Sequence, residues 1–145
     1  MMGLKPMGLV YAAIELIRGA DIILAQEGFI QENQIRRVSV SAMVDSGATM
    51  LTIPRFIRDQ LELRKVGELE AELADGSSLS LEVVGPVEVR FQNRRTSVEA
   101  LVVPNRTTVL LGAIPMEAMD VLIDPKRERL IVNPESPDVA KMLLM

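Results

Sequence analysis

Apolar and polar residues alternate along several short stretches of this chain. Residues 10–16 and 38–44 carry an apolar residue at every second position, which is typical of strands with one buried face. The same period runs through residues 69–73 and 79–83, on either side of Asp75-Gly76, and this arrangement favours a β-hairpin. Further strands, the last two forming a hairpin, are predicted at residues 87–91, 98–103, 109–111, 121–123 and 130–132.

Short helices are expected to interrupt this strand pattern. Asp21 precedes an apolar run and Gly28 follows it, which predicts an N-cap, two helical turns and a glycine stop. Pro54 should open a second helix that extends to Leu61, and residues 115–119 predict a single helical turn. The second helix should bury one face, formed by Phe56, Ile57 and Leu61. Many short strands and few helices predict a mainly β protein, built as a small closed β-barrel.

The 145 residues predict one domain over positions 1–145, with a core at about 9–134 and a tail at 135–145. Folding at that length buries roughly two-thirds of the unfolded surface. Hydrophobic residues make up 48% of the chain and aromatic residues only 3%, so aliphatic side chains must build the core. The apolar end of the tail, residues 142–145, is expected to be docked or frayed rather than functional.

The net charge of −4 gives no basic field that would attract nucleic acid or an anionic membrane. Arg36-Arg37, Arg94-Arg95 and residues 126–129 are short basic clusters that we expect at solvated strand ends or turns. The apolar stretch at residues 9–24 is interrupted by charged residues, which argues against a membrane span and a secretion signal. We therefore expect a cytoplasmic protein.

The chain contains neither cysteine nor histidine. This excludes disulfides, thiol nucleophiles, Ser-His-Asp triads and imidazole-based zinc sites. Hydrolytic chemistry would have to come from carboxylates, hydroxyl groups, lysine or a metal bound by carboxylates. Glu117, Asp120 and Asp124 fit helix ends and turns, and no predicted geometry brings them together, so we expect no metal site.

One short segment carries a specific pattern. Residues 44–49, Val-Asp-Ser-Gly-Ala-Thr, resemble the active-site signature of retropepsin-like aspartic proteases, in which apolar residues precede Asp-Thr/Ser-Gly-Ala. A second mark of that family is an apolar-apolar-Gly run further along the chain. Here that run is Leu110-Leu111-Gly112, whose glycine lies 67 positions after Asp45. The elements predicted between the two follow the family's order, and the resemblance, which is nearest to bacterial single-domain members, covers about residues 9–134.

The resemblance implies a homodimer, because one chain offers one Asp-Ser-Gly and the chemistry needs two carboxylates. The two Asp45 carboxylates, one from each subunit, would share a proton and activate a water that hydrolyses a peptide bond. The implied function is an aspartic endopeptidase that acts on peptides or proteins and needs no cofactor. The alternative is a non-catalytic peptide-binding or dimerisation module on the same fold.

The resemblance also implies roles for the residues near Asp45. Those that would support the active-site loop are Ser46, Gly47, Ala48 and Thr49. Ser46 would form a hydrogen bond across the dimer, Gly47 would let the backbone approach the carboxylate, and Ala48 would keep the floor of the site small.

Two further segments receive roles from the resemblance. Leu110, Leu111 and Gly112 would form the structural loop around the site, and Asp75-Gly76 would lie near the tip of a flap that folds over the substrate. The chain departs from the family pattern in two places. Ser46 replaces the commoner threonine but retains its hydroxyl group, and residues 18–35 resemble an insertion that could remodel a dimer edge or one end of the cleft.

Overall fold

The computed structural model describes residues 9–144, and in that part of the chain strands far outnumber helices. A 3-10 turn, Glu32–Gln34, precedes the second strand. The helices are α1 (Gly19–Gln26), α2 (Arg55–Gln60) and α3 (Ala113–Met119). The strands are β1 (Val10–Arg18), β2 (Arg37–Val44), β3 (Leu51–Ile53), β4 (Arg64–Glu72), β5 (Ser78–Phe91), β6 (Arg94–Val102), β7 (Leu110–Leu111), β8 (Val121–Asp124) and β9 (Arg129–Val132). Over residues 9–144, no helix is both long and apolar enough to cross a membrane.

The strands form a seven-stranded sheet and a separate hairpin. Their order in the sheet is β1-β2-β7-β3-β6-β5-β4, and β8 pairs with β9. β1 pairs with β2 along eight residues and also with β5, where Leu16 lies opposite Val89. β7 runs parallel to β2 and antiparallel to β3. The signature strand and the Leu110–Leu111 strand are therefore neighbours.

The core is aliphatic, as the composition predicts. It joins the inward faces of the sheet with α2, α3 and the last hairpin. The largest fully buried apolar side chains are Leu16, Ile17, Leu51, Ile53, Ile57, Leu61, Leu111, Met119, Val84, Val87 and Val89. Phe91 is the aromatic residue among the buried hydrophobic residues of the described chain.

The first helix differs from its sequence prediction. Asp21 is not the N-cap, because α1 begins at Gly19 and Arg18 holds the capping position. Asp21 is buried and accepts hydrogen bonds from Arg18 and from the backbone N–H of Arg36. A carboxylate in the first turn therefore binds two arginines rather than the free N–H groups of its own helix.

Three other expectations about burial or extent are corrected. Phe56 is 54% exposed while Ile57 and Leu61 are buried. Residues four positions apart share one face of a helix, whereas adjacent residues do not. Arg94, expected in solvent, is 3% exposed and donates to the carbonyl of Ser136. The predicted strand at residues 87–91 is continuous with the hairpin strand, and both belong to β5.

The C-terminal segment is held against the body of the protein up to Lys141. Asp120 Oδ2 accepts the Ser136 hydroxyl at 2.5 Å and the Lys141 backbone N–H at 3.0 Å, and its Oδ1 accepts the Asn133 amide at 3.0 Å. These donors, the Ser136 hydroxyl first, lower the pKa of Asp120 to about 2. Beyond them Met142 to Leu144 are exposed, and Met145 lies outside the described residues.

Asp120 makes a testable contribution to acid stability. Because its pKa is lower in the folded chain than the ordinary value of about 3.9, its stabilisation is complete above that value and is lost as pH falls towards about 2. We expect wild type to lose more thermal stability than Asp120→Asn between pH 5 and pH 2. Thermal unfolding of both proteins across that range measures the difference. Parallel losses would show that Asp120 contributes nothing to acid sensitivity.

Candidate active site

Asp45 follows directly after β2, where a buried strand ends and the chain turns. Ala42 and Val44 point into the core, and Asp45 comes next with a half-buried side chain. Its backbone N–H donates to the carbonyl of Leu111 at 3.0 Å. The pairing of β2 with β7 therefore continues through Asp45 and fixes the position of the backbone that carries its carboxylate.

A tight turn sets the direction of this carboxylate. Asp45 Oδ1 accepts the backbone N–H of Gly47 at 2.9 Å, and the Asp45 carbonyl accepts the N–H of Ala48 at 3.1 Å. A Cβ at Gly47 would lie 3.2 Å from that Oδ1, which is tighter than an ordinary carbon–oxygen contact. Glycine at this position lets the backbone approach the carboxylate, while Ser46 beside it is exposed.

The second half of the signature loop is bonded to the segment that begins at Leu110. The N–H of Ala113 donates to the Ala48 carbonyl at 2.8 Å, and the N–H of Ile114 donates to the Thr49 carbonyl at 2.9 Å. A Cβ at Gly112 would lie 2.4 Å from the carbonyl oxygen of Met50 and 2.8 Å from that of Ala48. The structure thus brings residues 45–49 and 110–112 together, with space for glycine alone at position 112.

Asp75 and Gly76 form the tip of the β4–β5 hairpin. Gly76 has a left-handed backbone with φ of 86° and donates its N–H to Leu73 at 2.9 Å, and Leu73 donates to Ser77 at 2.7 Å. This is the three-residue hairpin loop with a glycine bulge. The hydroxyl and N–H of Ser77 lower the pKa of Asp75. These bonds run within the hairpin, and the flap role of its tip stays a prediction.

The hairpin has one apolar and one acidic face. Cross-strand partners on the apolar face are Leu69 with Leu81 and Ala71 with Leu79, and Leu69 and Leu79 are 46% and 45% exposed. The opposite face pairs the following residues: Glu68 with Glu82, Glu70 with Ser80, and Glu72 with Ser78. Near the body of the protein the acidic face is neutralised, since Arg58 of α2 contacts Glu82 at 2.8 Å. On the apolar face Leu69 and Leu79 stay nearly half exposed, whereas Leu81 is buried.

A mainly apolar cavity of about 310 Å³ lies next to the signature loop. It is lined by Met50, Leu51, Ser97, Val98, Glu99, Ile114 and Pro115. The sequence did not predict this cavity, because its walls come from β6 and α3, which alternation alone cannot place beside Met50. Within residues 9–144 no three acidic side chains gather in a way that could hold a metal ion.

The chain belongs to the aspartyl protease family. A model of that family matches residues 32–113, which is more than half of the chain and includes both the Asp45 loop and the Leu110–Gly112 run. This match confirms the resemblance that the signature predicts. It begins at Glu32, so β1, α1 and most of the segment interpreted as an insertion lie outside it.

Two solved structures illustrate what the fold is similar to. The protease of simian foamy virus (mac) is 21% identical, with a TM-score of 0.45 over 72% of this chain and 90% of that one. The EIAV protease, solved with an inhibitor, is 10% identical, with a TM-score of 0.47 over 77% of this chain and 88% of that one. No curated protein sequence matches the chain.

Proposed function

We propose that this protein is an aspartic endopeptidase whose active site contains two Asp45 carboxylates, one from each of two identical chains. The supporting observation is the placement of Asp45 at the end of a buried strand, with its carboxylate oriented by the Gly47 N–H and its loop bonded to residues 111–114. Few other catalytic groups are possible, because the sequence has one Asp-Ser-Gly and neither histidine nor cysteine.

The chemistry follows from placing two such carboxylates together. Two carboxyl groups about 3 Å apart cannot both be ionised, because their like charges repel, so the pair holds one proton. The ionised Asp45 takes a proton from a water molecule, and the water oxygen attacks the scissile carbonyl carbon. The protonated Asp45 donates to the carbonyl oxygen. In the resulting gem-diol, one Asp45 protonates the amide nitrogen while the other takes a proton from a hydroxyl group, so the C–N bond breaks, the amine leaves, a carboxylic acid forms and the pair again holds one proton.

The proposal extends to the barrel and to the substrate. The pairing of β1 with both β2 and β5 supports a sheet that closes on itself into a small barrel. An extended peptide would bind between the signature loops and the β4–β5 hairpin by strand-like hydrogen bonds, with alternate side chains in pockets. The half-exposed leucines of the apolar hairpin face and the cavity beside Met50 favour apolar side chains.

Mixing active and inactive subunits tests the shared site. If chains exchange and pair at random, activity should fall as the square of the wild-type fraction, because each site needs two intact Asp45 residues. An equal mixture of wild type and Asp45→Asn should keep about a quarter of the activity of all-wild-type protein at the same total concentration. Mass-labelled heterodimers must be detected first. Activity proportional to the wild-type fraction, with heterodimers present, would show that each chain works alone.

A further inference from the structure

The β4–β5 hairpin is attached to the rest of the molecule at one end. β6 pairs with β5 no further out than Val83, which lies opposite Leu101, and β4 pairs with β5 alone in the described sheet. Residues 67–82 therefore have only each other as strand neighbours. Apart from the contact of Glu82 with Arg58, the position of this part depends on its two roots, where the chain enters after Glu62 and where it leaves at Pro86.

The entry root is held by two arginines. Glu62 connects α2 to β4 and has a left-handed backbone, with φ of 49°, which is uncommon for a residue other than glycine. Arg18 Nε donates to the Glu62 carbonyl at 3.2 Å, and Arg36 Nε lies 2.7 Å from Glu62 Oε2. These arginines stand at opposite ends of the excursion that links β1 to β2.

Asp21 is a buried residue that binds both arginines. Its side chain is 1% exposed, and it accepts a bond from Arg18 and the Arg36 backbone N–H at 2.9 Å. Arg36 Nη1 also lies 3.2 Å from Asp21 Oδ2. Burial opposes ionisation, but these donors outweigh it and hold the pKa of Asp21 below its usual range. Removing one partner of a buried charge is far more costly than removing an exposed pair.

The same helix also contacts the exit root. Gly19, the first residue of α1, is so close to Pro86 that a Cβ there would lie 2.9 Å from the proline Cγ and 3.0 Å from its carbonyl oxygen. Pro86 follows Gly85, which forms the innermost pair of the hairpin ladder with Arg64. One short excursion therefore contacts both roots of the hairpin.

We propose that residues 18–36 are a root clamp that fixes the angle of the β4–β5 hairpin, and that Asp21 is the positioning residue of this clamp. The effect of the clamp on catalysis rests on the proposed endopeptidase function, in which the hairpin serves as the flap over the substrate. A loosened root leaves the Asp45 loop intact, because that loop is bonded to residues 111–114 whereas Asp21 is bonded to Arg18 and Arg36. It raises the KM for peptide and changes kcat little.

Hydrogen exchange measured by mass spectrometry tests the clamp directly. In Asp21→Asn we expect the amides of residues 67–82 to exchange about tenfold faster than in wild type, while residues 37–44 of β2 stay within about twofold. Should Asp21→Asn fail to fold, Glu62→Ala removes the acceptor of Arg36 altogether, from a side chain that is 63% exposed. That variant should accelerate the same amides, but by less than Asp21→Asn, because exposed pairs contribute little.

Glu32→Gln is the matched control. Glu32 belongs to the same excursion and lies 3.7 Å from Arg37, but its side chain is 84% exposed and contacts neither root. Its exchange should equal that of wild type. Unchanged hairpin amides in the folded variants, or equal acceleration in β2, would overturn the clamp. Exchange needs no substrate, so a catalytically inactive wild type would refute the endopeptidase and leave this test standing. With an active enzyme, a fall in kcat without a rise in KM also overturns the clamp.

Discussion

Asp45→Asn should lower peptide hydrolysis by at least about a thousandfold, the scale expected when a positioned acid–base group is removed. The asparagine oxygen can still accept the N–H of Gly47, so the turn keeps the bond that orients residue 45. Replacing the acid also removes like-charge crowding from a two-carboxylate site. We therefore expect the fold to be unchanged. Cleavage of a diverse peptide mixture, with products identified by mass spectrometry, measures the loss.

Asp59→Asn is a suitable control for that comparison. Asp59 is an exposed carboxylate on α2 that contacts Arg58 at 3.0 Å, and exposed pairs of this kind contribute little to stability. Its activity should match wild type. Equal turnover by Asp45→Asn and wild type would reject Asp45 as the catalytic acid. A wild-type chain that binds peptides from the mixture and cuts none would support the non-catalytic peptide-binding module.

Gly112→Ala should destabilise the protein by about 3 kcal/mol or more, at the upper end of the range for overpacked positions. The added methyl would sit 2.4 Å from the Met50 carbonyl oxygen. That oxygen belongs to the backbone and cannot rotate away as a side chain can. Relief requires separating the signature loop from β7. Chemical denaturation should show an earlier midpoint, and activity should fall with it.

Gly67→Ala is the matched control, since it makes the same chemical change on a strand. No atom lies within 4 Å of a Cβ built at Gly67, so we expect a change within about 0.5 kcal/mol. A wild-type midpoint for Gly112→Ala would show that residues 48–50 can move aside at little cost. The close packing described for the active-site loop would then not be required for folding.

Alternation predicts strands well where one face of a strand is buried and the other is wet. β1, β2, both strands of the β4–β5 hairpin and the β8–β9 hairpin are confirmed close to their predicted positions. The structure also places Asp45 and Gly112 on facing segments. The signature could indicate this proximity because close backbone contacts restrict which residue types fit at its positions. Dimerisation and catalysis stay predictions, since they concern a second chain.

Where both faces of an element are buried, the pattern disappears. β3 was not predicted, because Leu51, Thr52 and Ile53 are all buried and show no alternation. Asp21 was wrongly interpreted as a helix cap, because its partners Arg18 and Arg36 come from flanking segments that only the folded chain brings together. The burial of Arg94 was not predicted for the same reason, since its partner Ser136 lies 42 positions away in the sequence.

The interleaving of β7 between β2 and β3 has a consequence for the order of folding. The acid at position 45 and the glycine at position 112 are far apart in sequence, so a long loop must close before the loop around Asp45 gains its partners. During synthesis Asp45 emerges well before Leu110. A growing chain therefore carries the acid without the strand that positions it, and the loop around Asp45 gains its partners only after most of the sheet has assembled.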